Sequence, residues 1–179
     1  SFLRLSSAVA KYWLTKRSSP VVREALECIG GNGYVEDSIL PRLYREAPLN
    51  AIWEGAGNVI ALDVIRALQR SPEAGDAFVN ELELARGTDR SFDQALDRLK
   101  ERLSMSGPSA WDESEARRLV EQLAVCWGAS LCLRHEPVIA GAYIRSRLER
   151  DWGVELGTLP RGLDLAEIAR RACPEGSGG

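Results

Sequence analysis

At 179 residues the chain can form one compact domain, or a small domain with an appendage. Hydrophobic residues at 45 % and charged residues at 27 % are ordinary for a globular chain, and no apolar run approaches the roughly 18–20 residues that cross a bilayer. A net charge of −3 disfavours binding to nucleic acid by overall basicity.

Four scattered cysteines (Cys28, Cys126, Cys132, Cys173) with a single histidine point to reduced, cytoplasmic thiols, not to a disulfide framework or a zinc site. Lysine occurs only at Lys11, Lys16 and Lys100, against a large excess of arginine, which reads as a compositional habit. No signal-peptide pattern opens the chain. It starts at Ser1 within a helical pattern (FLRLSSAVAKYWL), as a piece of a longer protein would.

Over residues 2–29, Leu5, Val9, Tyr12, Trp13, Val22, Leu26 and Ile29 recur at helical spacing. Pro20 interrupts them, so one kinked helix or two stacked helices both fit. Gly30-Gly31 ends this helix, because glycine supplies the left-handed conformation of a C-terminal cap, and Asn32-Gly33 continues the turn. A short helix is predicted from Ser38 to about Ala47, closed by Pro48, then an extended link over Leu49 to Trp53. Gly55-Ala56-Gly57-Asn58 opens the next helix, which runs to about Gln69 with Ile60, Ala61, Val64, Ile65 and Leu68 inward.

Ser71-Pro72 breaks the pattern and marks a domain boundary, giving segments 1–69 and 70–179. Further helices are predicted over about 73–86, 89–103, 112–135, 137–151 and 163–172. Phe92, Leu96, Leu99 and Leu103 line one of them, and Leu119, Leu123, Val125, Cys126 and Leu131 another. SMSGPSA (104–110) is a polar linker, WGVELGTLPRG a loop and PEGSGG a loose tail. Trp13, Trp111, Trp127 and Trp152 are most economically packing residues. No strand alternation competes, so the chain reads as all-α.

The chemistry concentrates between Glu27 and Asn58. Glu54 lies between Trp53 and Gly55, after Ala51-Ile52; a carboxylate held against such apolar surface has its pKa raised and makes a stronger base once ionised. The alternative is a surface glutamate near a helix N-terminus, favoured by the helix dipole. The GGNG turn either forms an anion-binding nest of backbone amides or merely caps a helix. A helix, not a strand, precedes it, so it is no Rossmann fingerprint. His135 reads as a helix-terminal residue. Arg145, Arg147 and Arg150, with Arg134 nearby, form either a phosphate-facing patch or a solvated helix face diluted by Glu149 and Asp151.

Taken together, ECIGGNGY and LPRLYREAPLNAIWEGAGN resemble the C-terminal helical domain of the FAD-dependent acyl-CoA dehydrogenases. That family has a glycine turn of the form Q-x-x-G-G-x-G-[FY], then a basic-acidic pair, then an aromatic-Glu-Gly step. Here these are Glu27 to Tyr34, Arg45-Glu46 and Trp53-Glu54-Gly55. The wording YREAPLNAIWEGAGNV and the helical extension are most like the branch of alkylation-response flavoproteins. Glu27 stands in place of Gln, Ala56 in place of a hydroxyl residue and Asn58 in place of Gln.

The resemblance implies a four-helix-bundle portion over residues 1–69 with a helical extension over 70–179. It implies Glu54 as the base in α,β-dehydrogenation of an acyl-CoA thioester. Gly30, Gly31, Trp53 and Asn58 would contact FAD, the two glycines often that of a neighbouring subunit in a homodimer or homotetramer. The domains that build most of the flavin and CoA site are absent from these residues. The chain alone is therefore expected to lack turnover and to bind FAD weakly at best. One rival is a DNA-associated protection protein using Arg145 and Arg147, although residues 70–179 carry 15 basic against 19 acidic residues. The other is a helical oligomerisation module without chemistry.

Overall fold

The computed structural model describes residues 2–105 and 112–172. Trp111, Cys173, most of the polar linker and the tail lie outside the described residues. Within them the chain is all-α, without a strand, and no helix is long and apolar enough to cross a membrane. The helices are α1 (Phe2–Ile29), α2 (Gly31–Tyr34), α3 (Leu40–Asn50), α4 (Gly57–Arg70), α5 (Pro72–Glu83), α6 (Arg90–Ser104), α7 (Ala116–His135), α8 (Pro137–Tyr143) and α9 (Leu165–Ala172).

The chain divides into two compact units: the described residues of Ser1–Glu81 with Leu99–Ala124, and those of Leu82–Arg98 with Val125–Gly179. The units do not follow the break at Ser71-Pro72, since helical segments from beyond it belong to the first.

In the first unit α1 is a single helix with Pro20 inside it. It packs against α2, α3 and α4. Leu5, Val9 and Tyr12 of α1 are buried, as are Ile60, Ala61, Val64, Ile65 and Leu68 of α4, which fulfils the inward pattern read for α4. Leu26, at the same helical spacing as Leu5 and Val9, is only half-buried, and Ile29 is exposed. The reason is length: at 1.5 Å per residue α1 runs about 42 Å and α4 about 21 Å, so α4 covers only one half of α1. α3 adds just two buried residues, Pro41 and Ala47. Leu14, Val21, Ile29, Leu43, Tyr44 and Leu49 consequently leave apolar surface open.

Pro48 does not close α3 but sits inside it. It is exposed, so the Tyr44 carbonyl it leaves without an amide partner faces a side open to water. The following residues are not extended: Ala51 N–H donates to the Pro48 carbonyl (3.1 Å), and Ile52 and Trp53 N–H donate to that of Leu49 (2.9 and 3.1 Å).

In the second unit Leu82, Ala85, Phe92, Leu96, Cys126 and Ala129 are buried. Burial pushes the Cys126 thiol up to about 12, so it stays protonated and inert. Leu131, expected in this core, is 37 % exposed. The inward stripe of α7 passes through Leu119, Leu123, Cys126 and Ser130, and Leu131 stands about 100° round the helix from Ser130. The helix expected over 137–151 ends at Tyr143 and widens to a π turn over Ile144–Leu148. There the buried Ser146 hydroxyl donates to the Ala142 carbonyl at 2.7 Å, competing with the regular ladder.

The unequal cover of α1 predicts unequal responses to truncation. Leu5→Ala should cost about 2–5 kcal/mol of unfolding free energy in urea titrations. Leu26→Ala should cost only about 1 kcal/mol, in keeping with half-burial.

Candidate functional site

Glu54 is carried on the turn that joins α3 to α4. Its φ is +54° and that of Gly55 is +112°. A non-glycine residue in the left-handed region costs about 1–2 kcal/mol, so something must hold the turn. The holding group is Lys11 of α1, whose Nζ donates to the Trp53 carbonyl at 2.8 Å and to the Gly55 carbonyl at 2.9 Å. Hydrogen bonds to a charged group contribute about 1.5–3 kcal/mol, enough to offset the strained residue.

α4 begins directly beyond, with Ile60 N–H donating to the Ala56 carbonyl at 3.0 Å. Lys16, one and a half turns on from Lys11, lies across Gly57. A Cβ added at Gly57 would stand 2.5 Å from Lys16 Cε. The Lys16 ammonium sits 5.5 Å from the Tyr12 ring centroid, and Arg117 Nε donates to the Tyr12 hydroxyl at 3.4 Å. Burial, aided by the Arg117 charge, holds the Lys16 pKa below its ordinary value. Lys11, Lys16 and Arg117 thus make the start of α4 an electropositive corner, reinforced by the helix dipole.

Glu54 and Asn58 are exposed, as are Trp53 (55 %) and Ile52 (62 %). The apolar setting read for Glu54 is therefore an open apolar surface within this chain. Trp53, Glu54 and Asn58 share one turn-to-helix junction; Gly30 and Gly31 are not part of it. From Lys11 to Ile29 the axis of α1 runs about 27 Å.

At that far end Gly30 adopts φ +69°, ψ −146°, a conformation open essentially only to glycine. Its N–H donates to the Glu27 carbonyl at 3.0 Å, and Gly33 N–H donates back to the Gly30 carbonyl at 2.9 Å. The turn expected at Asn32-Gly33 is the single helical turn α2. Beyond the adjoining backbone, a Cβ built on Gly30 or Gly31 would meet open space.

Glu27 is paired with Arg23 (3.5 Å). Arg45 and Glu46 do not pair with each other. Arg45 clamps Glu36 through two bonds (2.6 and 3.2 Å), and Arg42 holds Glu46 at 2.9 Å. The Arg45 hydrogen bond keeps the Glu36 carboxyl below the usual carboxylate range. It ties α3 to the segment after the glycine turn.

The remaining candidates have local duties. His135 ends α7. Arg145 donates to Asp151 and to the Arg161 carbonyl, both at 2.8 Å, and Arg147 stacks on Trp152 with its guanidinium 4.6 Å from the ring. Among the described residues no three His, Cys, Asp or Glu are placed to hold a metal ion.

Residues 3–69 match the family described as "Acyl-CoA dehydrogenase, C-terminal domain". Residues 3–69 therefore carry the C-terminal helical domain of the acyl-CoA dehydrogenase family. The chain is 39 % identical over 154 residues to "Putative acyl-CoA dehydrogenase AidB" of Escherichia coli, a match covering 86 % of this chain and 28 % of that protein. It is 40 % identical over 99 residues to "Acyl-CoA dehydrogenase family member 11" of Caenorhabditis elegans, covering 55 % of this chain and 16 % of that one. The solved structure of Caenorhabditis elegans ACDH-11 in complex with C11-CoA superposes with a TM-score of 0.72 at 26 % identity, over 99 % of this chain and 34 % of that one. The chain thus spans about a third or less of the length of each of these relatives.

The glycine turn offers a direct check of its geometry. Gly30→Ala should lower stability by about 1–3 kcal/mol, because alanine cannot relax at that φ and ψ. Gly31→Ala, within a helical turn and with open space around it, should be neutral or stabilising by about 0.4–1 kcal/mol. Thermal melts followed by circular dichroism measure both.

Proposed function

We propose that this chain is the C-terminal portion of an FAD-dependent acyl-CoA dehydrogenase-like oxidoreductase of the AidB-like branch, with Glu54 as the base. The observation that carries the proposal is the Trp53-Glu54-Gly55 turn. A carboxylate is held there in a strained, tethered conformation on an apolar surface, in the domain type shared with a relative whose structure contains C11-CoA.

In this reading the Glu54 carboxylate accepts the α-proton of an acyl-CoA thioester, leaving an α,β-unsaturated thioester as product. FAD, when bound, supplies the acceptor for the hydride that leaves the β-carbon. Trp53 presents an exposed ring as one wall of the acyl or flavin pocket. Asn58, in the first turn of α4, offers its amide to the same cofactor. The remaining walls come from other parts of the longer protein, and their closure raises the strength of the base.

Gly30 and Gly31 present bare backbone to the adenine dinucleotide part of FAD. Their distance along α1 from Glu54 supports the view that they serve a neighbouring subunit's cofactor in a homodimer or homotetramer. The open apolar face of α1 and α3 supports such assembly. These residues alone hold FAD weakly at best and carry no turnover. The thiol at exposed Cys28 suits a reducing, cytoplasmic setting. Binding to DNA through Arg145 and Arg147 gains no support, since both are engaged within their own segment.

In the full-length flavoprotein, Glu54→Gln should retain FAD and acyl-CoA binding. Its rate of flavin bleaching by acyl-CoA should fall by about 10²–10⁴-fold in stopped-flow absorbance. Undiminished bleaching would assign the base elsewhere and leave this domain an assembly module.

A further inference from the structure

We infer that Lys11 is the positioning residue for Glu54: it fixes the direction of the base by holding the peptide groups on both sides of it. The inference rests on the reading of Glu54 given above, and it adds a residue that neither the motif nor the comparisons assign. Lys11 Nζ donates to the carbonyl of Trp53, in the peptide preceding Glu54, at 2.8 Å. It also donates to the carbonyl of Gly55, in the peptide beyond, at 2.9 Å. Two peptide planes anchored to one ammonium leave the Cα between them little freedom. The left-handed φ of Glu54 then sets where its Cα–Cβ bond points.

The anchor is itself firm. Lys11 stands on α1 between Val9 (0 % exposed) and Tyr12 (4 % exposed), in the most deeply packed stretch of that helix. It reaches a turn 42 to 44 residues away, so the constraint joins two elements that local structure does not connect. Both of its bonds go to main-chain carbonyls, not to the carboxylate. The base thereby gains direction while its oxygens stay free to accept a proton. A short-range ion pair would instead lower the basicity of the carboxylate. Lys11 does its work through Glu54 and touches no reacting atom.

The test uses the full-length flavoprotein with an acyl-CoA that bleaches the wild-type flavin. Lys11→Met keeps the aliphatic stem and removes all donors; Lys11→Gln, with one amide donor group, is the milder second variant should the first fold poorly. Lys11→Arg restores two donors in a planar fork. A misdirected base should lower kcat by about 100-fold in Lys11→Met while KM and FAD content hold. Lys11→Gln should fall in between, and Lys11→Arg should recover most of the rate. Deuterium at the substrate α-carbon should slow the Met variant more than the wild type. Amide hydrogen exchange of residues 53–57 should speed up selectively.

Wild-type kcat in Lys11→Met or Lys11→Gln, or a raised KM with kcat unchanged, overturns the inference. If Glu54→Gln retains full turnover, the underlying reading falls instead. Faster exchange at 53–57 in Lys11→Met would then show Lys11 to be a structural tie only, and the positioning role falls with it.

Discussion

One ammonium bonded to two backbone carbonyls connects the two halves of the candidate site's support. Lys11 projects from a helix whose N-terminal half is buried through Leu5, Val9 and Tyr12, and it seizes the turn between α3 and α4. Without that bond the turn would have to hold a non-glycine residue in the left-handed region by itself, at about 1–2 kcal/mol. With it, the packing of α1 on α4 is transmitted to the residue that the family resemblance selects as the base. A side chain's direction is thus set by a core more than 40 residues away in sequence.

The same helix explains why the candidate residues fall into two groups. α1 is long enough to place Lys11 and the Glu54 turn at one level and the Gly30-Gly31 backbone about 27 Å further on. Its second half buries no residue completely, which leaves Val21 and Ile29 at the surface. A long helix whose buried residues are confined to one half is what a portion of a larger helical bundle should look like. The match of residues 3–69 to the C-terminal acyl-CoA dehydrogenase domain agrees with that picture.

Much of this was readable from residue types. The periodicity of Ile60, Val64 and Leu68, the glycine stop at Gly30 and the end of α4 before Ser71 each gave the right helix, because local preference and burial agree there. The errors have equally local causes. Pro48 loses one ladder bond but stands on an exposed side, where water can serve the freed carbonyl, and α3 runs two residues beyond it. Leu26 and Leu131 have apolar character, but helix length and stripe angle decide whether apolar character is covered. Lys11 and Lys16 were visible only as two of three lysines, since nothing in a sequence of charges tells a helix face which distant turn it will meet. The arginines at 145 and 147 could not be told from a phosphate patch by spacing, because their partners Asp151, the Arg161 carbonyl and Trp152 depend on a π turn that no periodicity announces.

The chemistry proposed for the assembled protein depends on Glu54 being aimed and enclosed at once. The most direct measurement is a crystal structure of the complete flavoprotein with a bound acyl-CoA thioester. The account predicts a Glu54 carboxylate oxygen about 3–3.5 Å from the thioester α-carbon, with φ at Glu54 still positive and Lys11 still on both flanking carbonyls. A thioester bound elsewhere, with Glu54 facing bulk water, would contradict it.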